Sequence, residues 1–275
     1  MRSVSLLGLV AAWAVVAAGC KKHIAVTSVE ELPYPACSSD AASPTTVASG
    51  HLRAGDTARE HDVVERFQIV RDACGQYVYS GREEWRLMGA DVEVVYDADK
   101  MPLRAWKRMT IPGVVRPDGD ADIRRYELRT RDPSIKRRDK DGNVTYELLK
   151  IGGKTAPPEG TRVAAVIGPG RGVLTMWLQR AHLAVGEKRR DLVLDFREMV
   201  ETLSDVTLTR EPDEFEPSIG RSVRVYTIYG REPVFADEND VVIGDMAGLR
   251  PSESVNTPEP PPIPTYGPPD PVKTP

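Results

Sequence analysis

The chain has 275 residues, with 37 Lys and Arg against 41 Asp and Glu and a formal net charge of -4. Hydrophobic residues make up 40% of it and charged residues 28%, which excludes global disorder. The near-neutral balance argues against a nucleic-acid partner, because phosphate binding needs a net basic surface.

The N-terminus has the pattern of a secretory signal peptide. Arg2 supplies a positive charge, and residues 6–18 form an uncharged, mostly apolar stretch that is too short for a typical membrane span. The stretch ends in small residues at positions 17–19, directly before Cys20. Residues 1–19 are therefore predicted to be a signal peptide.

The sequence Ala-Ala-Gly-Cys at 17–20 resembles the lipobox of bacterial lipoproteins, although Ala17 stands where Leu is commonest. The resemblance implies cleavage before Cys20 and fatty acylation of Cys20 with chains such as palmitate, which anchors the protein to a membrane. Lys21, rather than Asp, follows Cys20, which implies the outer membrane of the cell envelope, facing the periplasm. The alternative is an ordinary signal peptide cut elsewhere.

Two further cysteines, Cys37 and Cys74, remain if Cys20 carries lipid. An exported protein meets an oxidising compartment, where a pair of cysteines is readily bridged. The hypothesis is a Cys37–Cys74 disulfide, and the alternative is two free thiols.

Composition divides the mature chain into three parts. Residues 20–59 are rich in Ser, Thr, Ala and Pro and are expected to be a lipidated flexible tether. Residues 60–250 suit a single β-rich domain. Residues 251–275 contain ten Pro and are expected to be a disordered tail, or a docking peptide for a Pro-binding partner or the cell wall.

Hydrophobic residues in the body alternate with a period of two, which is typical of strands with one buried face. The runs are 91–97, 103–111, 191–197 and 221–229. Lys107 interrupts the apolar face of the second run. The similar runs 126–128 and 146–148 flank Asp141-Gly142 and predict a hairpin whose long basic loop includes residues 136–138.

Residues 173–183 carry instead an apolar stripe with helical spacing, after a Gly-rich break at 168–172. We therefore expect a mainly β fold: a curved antiparallel sheet, half-barrel-like, with one main helix on its concave face. This architecture is similar to the half-barrel of lipoprotein carriers and other lipid-binding envelope proteins, but no motif in the body supports the likeness.

The chemical motifs are weak. The 168–172 loop lacks the Lys-Ser/Thr of a phosphate-binding P-loop and is better explained as a turn. Two clusters of acidic residues partly match the spacing of metal ligands, but polar turns or solvated segments explain both clusters better. The first group is Asp118, Asp120 and Asp122, and the second is Glu60, His61, Asp62 and Glu65. The sequence therefore predicts no metal and no cofactor.

Candidate general bases are His51, His61 and His182, besides His23 in the tether, and no serine-hydrolase elbow accompanies them. Trp106, between Arg104 and Arg108, could cover a ligand or partner or simply pack on the surface. The expected function is a non-catalytic binding module for a lipid or other hydrophobic ligand. The alternatives are an assembly lipoprotein that bridges the membrane to a protein or cell-wall partner, and an enzyme that carries no recognised motif.

Overall fold

The computed structural model describes residues 43–54, 63–85, 88–110, 123–128, 133–138, 144–158, 161–197 and 201–254. The strands within these residues are Thr45–Ala54 (β1), Val64–Arg71 (β2), Tyr77–Trp85 (β3), Met88–Tyr96 (β4), Pro102–Thr110 (β5), Ile123–Glu127 (β6), Ser134–Arg138 (β7), Val144–Leu148 (β8), Ala165–Ile167 (β9), Lys188–Asp195 (β10), Thr202–Glu216 (β11), Arg221–Ile228 (β12), Glu232–Ala236 (β13), Val242–Asp245 (β14) and Leu249–Pro251 (β15). The α-helix is Thr175–Ala181 (α1), and the 3-10 turns are Gly172–Leu174 and Ser252–Ser254.

The strands form two sheets that curl into a half-barrel. The larger sheet has nine antiparallel strands in the order β15-β1-β2-β3-β4-β5-β6-β7-β8. The smaller has six in the order β14-β13-β12-β11-β10-β9, antiparallel except for the parallel pair of β9 and β10. The expected mainly β, half-barrel fold with one main helix is confirmed.

The alternating runs form strands at the expected places. Residues 91–97 fall largely in β4, 103–111 in β5, 191–197 in β10 and 221–229 in β12. Alternate residues of each strand point to opposite faces. In β4 the apolar set Val92, Val94 and Tyr96 enters the main core. In β12 the main core takes Tyr226 and Ile228, while Val223 and Val225 pack in a smaller cluster on the other face.

The predicted hairpin between 126–128 and 146–148 is wrong. β7 contains the basic residues 136–138 and lies between β6 and β8, pairing with both. Ser134 and Ile135, at the start of the strand, are both buried. The basic residues obscured this strand because they give the sequence no apolar alternation there.

Part of the predicted tether belongs to the sheet. β1 lies inside the 20–59 segment, pairs with β2 along its length, and pairs with β15 at Leu52, Arg53 and Ala54. The other end of the body reaches slightly beyond residue 250, through Pro251 to the turn Ser252–Ser254. The rest of the tether and of the Pro-rich tail lies outside the described residues.

The predicted helix at 173–183 appears as the turn Gly172–Leu174 followed by α1. Trp177 is buried, and its indole Nε1 donates to Asp191 Oδ2 on β10 at 2.7 Å. The helix ends at His182, whose backbone is left-handed with φ 43°. Within the described residues, no helix is both long and apolar enough to span a membrane.

The space between the sheets is filled by the chain's own side chains, which form one large cluster. Its largest members include Trp177, Tyr79, Tyr96, Tyr126 and Tyr226, each fully buried. This packing extends to the start of the helix, where the Phe67 ring lies so close to Gly50 and Gly172 that a Cβ at either would come within 2.2 Å of it. Glycine at 172 therefore lets the loop before α1 approach β2 closely.

Candidate functional site

The loop at 168–172 is held by a buried carboxylate. Glu65 on β2 has no exposed surface, and its oxygens accept hydrogen bonds from the backbone amides of Arg171 and Gly172, both at 2.6 Å. A Cβ on Gly170 would lie 2.9 Å from the Glu65 carboxyl carbon. The Gly-rich sequence thus forms a turn whose amides bind a carboxyl group supplied by the protein itself.

This arrangement accounts for two of the sequence candidates. The amides of the 168–172 loop, compared in the sequence with a phosphate site, bind Glu65 and form a turn. Glu65 was also grouped with Glu60, His61 and Asp62 as a metal set, but those three residues lie outside the described residues. The calcium candidates Asp118, Asp120 and Asp122 lie outside them as well.

A second glutamate lies beside this contact. Glu83 on β3 is the direct cross-strand partner of Glu65, and burial raises the pKa of its carboxyl from 4.5 to about 8, with Glu65 adding to the rise. Burial likewise raises the pKa of Glu65 to about 7, against the lowering effect of the two backbone amides and Arg171. Arg171 Nε in turn donates to Asp245 Oδ2 at 2.9 Å. Both glutamates therefore retain their protons to a higher pH than exposed carboxyls do.

A buried lysine lies farther along the concave face. Lys107 on β5 has no exposed surface, and its ammonium donates to the backbone carbonyl of Phe196 and lies 5.3 Å from that ring's centroid. Burial lowers the pKa of Lys107 to about 8, while nearby Glu201 favours its charged form. Tyr126 donates to the same Glu201 at 2.8 Å. Lys107 therefore breaks the apolar face of β5 inside the core, and not at the surface.

Ion pairs at the ends of strands in the smaller sheet form a further polar group. Arg197 binds Asp195 at 2.8 Å and Glu232 at 2.7 Å, and Tyr229 donates to Asp195 at 3.0 Å. Arg171 lies 3.6 Å from Glu232. This group therefore connects β10, β12 and β13 to the loop that Glu65 holds.

An open, polar pocket of about 630 Å³ lies on another side of the molecule. Its walls come from β1 at residues 47–49, from Lys100 in the β4–β5 turn, from the end of α1, from Arg224 on β12, and from the β13–β14 turn at 237–241. These segments are distant in sequence, so only the folded chain brings the pocket together.

Asp240 and Arg224 are paired with each other in the wall of the pocket. Asp240, 3% exposed, accepts from Arg224 and from the Tyr226 hydroxyl, each at 2.7 Å. His182 Nδ1 lies 3.8 Å from the other oxygen of Asp240, and the His182 side chain is 83% exposed. The pocket thus has a buried, neutralised carboxylate in its wall and an accessible imidazole at its mouth.

Lys100 is a second cation in the pocket lining, beside Arg224. Its ammonium donates to Gln179 Oε1 at 3.0 Å and lies 5.7 Å from the centroid of the Tyr77 ring. Burial lowers the pKa of Lys100, and the charge of Asp240 opposes that effect. Gln179 Nε2 donates to the carbonyl of Asn239, which ties α1 to the β13–β14 turn.

Three hairpin turns of the protein share one hydrogen-bond pattern. In each, the first Asp uses Oδ1 to accept from the amides two and four residues later, at 2.8 to 3.0 Å. In each, the fourth residue is left-handed and donates its amide to the carbonyl of that Asp. The turns begin at Asp72, Asp97 and Asp237.

The fourth residue differs among these turns. It is Gly75 in the first turn, away from the pocket, but Lys100 (φ 60°) and Asp240 (φ 60°) in the two turns that line the pocket. His182 is left-handed at the helix end, where Gly is preferred. A left-handed backbone costs a residue with a Cβ about 1 kcal/mol. Lys100, Asp240 and His182 each carry this cost, and all three are charged or titratable residues of one pocket.

The remaining sequence candidates occupy separate places. His51 is in β1 and His182 lines the pocket, whereas His23 and His61 lie outside the described residues. Trp106 is on the outer face of β5, opposite Glu93. Cys74 is in the first of the three turns, but Cys20 and Cys37 lie outside the described residues, so lipidation and the disulfide stay predictions.

Sequence reasoning missed the pocket and the paired glutamates. In the sequence, residues 97–100 and 237–240 have only the composition of polar turns. A usable signal was present, because both turns place a charged residue where an Asp-initiated hairpin turn prefers Gly.

The described residues thus define a β half-barrel with a filled interior and a polar surface pocket. No protein-family model and no curated protein matches the chain. One similar solved structure is a DUF1089 family protein from Pseudomonas aeruginosa, 15% identical, with a TM-score of 0.38, covering 79% of this chain and 97% of that one. Another is a beta-barrel-like protein of domain of unknown function DUF1849 from Brucella abortus, 12% identical, with a TM-score of 0.39, covering 71% and 82%. Neither similarity assigns a family or a function.

Proposed function

We propose that the protein is a non-catalytic binding module that is moored to a membrane by acylated Cys20 and holds a polar ligand in the pocket beside β1. The observation that carries the proposal is the convergence of Lys100, His182 and Asp240, three left-handed residues with side chains, on one pocket. Backbone strain of this kind persists where the side chain has a role that glycine cannot fill.

The arrangement of the pocket supports binding rather than chemistry. Asp240 is neutralised by Arg224 and Tyr226, and Lys100 is engaged by Gln179. Groups fixed in this way are preorganised to donate and accept hydrogen bonds, which favours affinity because little side-chain entropy is lost on binding.

The sequence suggested a hydrophobic ligand in an apolar groove. In the described residues the concave face is instead covered by α1 and the second sheet, and the large side chains of the core occupy the space between them. The pocket that these residues form has polar and charged walls. We therefore infer that a polar ligand binds in this pocket, and the test must distinguish it from a lipid.

The membrane anchor remains part of the proposal. β1 begins at Thr45, so the 25 residues from Cys20 to Pro44 connect the acylated sulfur to the body; fully extended, that length spans at most about 90 Å. The body then works close to the bilayer surface, on the outer-membrane side of the envelope. A Cys37–Cys74 disulfide would additionally tie this segment to the β2–β3 turn.

The test uses the detergent-solubilised mature lipoprotein and a thermal-shift screen of amino acids, peptides, sugars, nucleotides and phospholipids. We expect a polar compound to raise Tm by several degrees for the wild type and by less than one degree for Asp240→Asn. The matched control, Lys154→Met, changes an exposed residue beyond β8 and should respond like the wild type. A shift produced only by phospholipids, or by no compound, would overturn the proposal.

A further inference from the structure

We propose that residues 255–257, directly after the last described turn, dock on the exposed edge of β1 as a short added strand. The occupant of this edge is thus the chain's own Pro-rich tail and not a separate molecule. The inference goes beyond the proposed function, because it concerns the tail and holds whether or not the pocket binds a ligand.

β1 is paired unequally on its two edges. One edge pairs with β2 along nearly the whole strand, whereas on the other edge β15 pairs only with residues 52–54. Among the described strands, none pairs with residues 45–50 on that second edge. Most of these six residues are exposed, so the edge is accessible. An accessible edge presents backbone donors and acceptors that natural proteins commonly cover with a loop or a short strand.

The chain after β15 runs along this edge. β15 is antiparallel to β1, and its last residue, Pro251, is the register partner of Leu52. The turn Ser252–Ser254 still packs against β1. A 3-10 turn of this length advances the chain by about 6 Å, or about two residues of a strand. The chain that leaves the turn therefore reaches residues 47–49 of β1 with residues 255–257.

The first residues of the tail suit an added strand. Val255 and Thr257 are β-branched, which favours an extended backbone, and Pro258 restricts Thr257 further to extended conformations. Residues 255–258 carry no charge. They therefore fit beside a pocket lining that already contains three carboxylates and two cations besides His182.

The prolines that follow suit the outside of a sheet. Pro258 and the prolines at 260–262 have no backbone N–H, so another chain cannot form a regular ladder with them. Natural sheets use proline at their edges for this reason. The tail thus covers the edge that β1 leaves open without creating a new edge of the same length.

The short connection favours the tail over a peptide from another molecule. Only the turn Ser252–Ser254 separates β15 from the added strand. A short link of this kind gives an effective local concentration on the order of millimolar. A separate peptide would have to compete with that concentration at the same backbone groups.

Residue-resolved hydrogen–deuterium exchange of the mature lipoprotein in detergent tests the added strand. The double variant Asn256→Pro/Thr257→Pro removes two adjacent tail amides, one of which belongs to the ladder in either register. We expect the amides of residues 46–50 that do not bond to β2 to exchange at least tenfold faster in this variant than in the wild type. A chain that ends at Ser254 should show the same increase.

The matched control for this comparison is Thr265→Pro, which adds a proline to the same tail beyond the proposed strand. It should exchange like the wild type. Equal exchange at residues 46–50 in the wild type, the double variant and the chain ending at Ser254 would overturn the inference.

Photo-crosslinking distinguishes the possible occupants. A photo-reactive amino acid in place of Val47, which lies at the β1 register shift and is 43% exposed, should capture residues 255–260 in a product of monomer mass. The same amino acid in place of exposed Lys154, beyond β8, should not capture them. Capture in a product of dimer mass would show that two copies exchange tails and would overturn the inference, as would the absence of any captured tail.

The outcome is separable from that of the proposed function. If the double variant exchanges faster at residues 46–50 and no compound in the thermal-shift screen raises Tm, the inference holds and the proposed function fails. If a polar compound raises Tm while residues 46–50 exchange equally in the wild type and the double variant, the proposed function stands and the inference is overturned.

Discussion

Glu65 on β2 accepts a 2.6 Å hydrogen bond from the backbone amide of Gly172, which is distant in sequence and begins the turn before α1. The same carboxylate accepts from the amide of Arg171. Backbone amides at such a turn need acceptors, and here both acceptor oxygens come from one carboxyl group of the protein itself. The contact joins the larger sheet to the helix and fixes where α1, and therefore the His182 end of the pocket, lies.

Removing the Glu65 carboxylate should destabilise the fold strongly. Glu65→Ala leaves two buried amides without an acceptor and opens a cavity, so the free energy of unfolding should fall by about 3–5 kcal/mol. Glu65→Gln keeps one acceptor oxygen and should cost about 1–2 kcal/mol. Urea denaturation measures both. The control Glu84→Ala, at a half-exposed ion pair with Arg82, should cost less than about 1 kcal/mol. Equal losses for Glu65→Ala and Glu84→Ala would contradict this role.

The raised pKa of Glu65 predicts a particular pH dependence of stability. Between its ordinary value of 4.5 and about 7 the folded protein retains a proton that the unfolded chain releases. Stability therefore falls as pH rises through this window, by at most about 3 kcal/mol for one group. Urea titrations at pH 4.5 and 7 should show a larger fall for the wild type than for Glu65→Gln. Parallel curves would show that Glu65 titrates normally.

The buried ammonium of Lys107 predicts the opposite dependence at alkaline pH. The pKa of Lys107 is about 8 in the folded protein and 10.5 ordinarily, so the unfolded chain binds more protons between these values and stability rises with pH. Lys107→Met should abolish that rise. At pH 7 its effect should stay within about 1–2 kcal/mol, because removing a buried charge offsets the lost bond to Phe196. Denaturation at pH 7, 8 and 10 measures this, and an unchanged alkaline slope would refute it.

The left-handed fourth positions of the Asp-initiated turns give a prediction about backbone strain. Gly75→Lys should cost about 1 kcal/mol, because a left-handed lysine replaces glycine where no atom lies closer than 3.7 Å to the new Cβ. Lys100→Gly in the equivalent turn should change the free energy of unfolding by less than about 0.5 kcal/mol, since relief of strain offsets the added freedom of the unfolded chain. Thermal unfolding compares the two. A large loss on Lys100→Gly would mean that Lys100 is retained for stability.

Much of the fold was accessible from sequence because the strands bury one face. The alternating runs at 91–97 and 221–229, and the helical stripe at 173–183, predict β4, β12 and α1 directly. The alternation failed where burial is partial: β7 carries basic residues, and β1 contains Ser, Thr, Gly and His, which resemble a tether in composition.

The candidate site was less accessible, because its residues meet only through the topology. Lys100 and Asp240 occupy separate hairpins, and Arg224 comes from a third strand. Glu65 was noted only as a member of a local acidic group, whereas its partners lie more than a hundred residues away. Local sequence shows that a turn is strained but not which other turn it faces.

The most direct test of the pocket as a binding site is hydrogen–deuterium exchange of the mature lipoprotein with and without a polar compound that raises Tm in the thermal-shift screen, followed on fragments that contain residues 45–50 and 237–241. The account predicts slower exchange in both fragments for the wild type, and no change for Asp240→Asn. A bound compound that leaves both fragments exchanging as in the free protein, and slows exchange elsewhere, would contradict it.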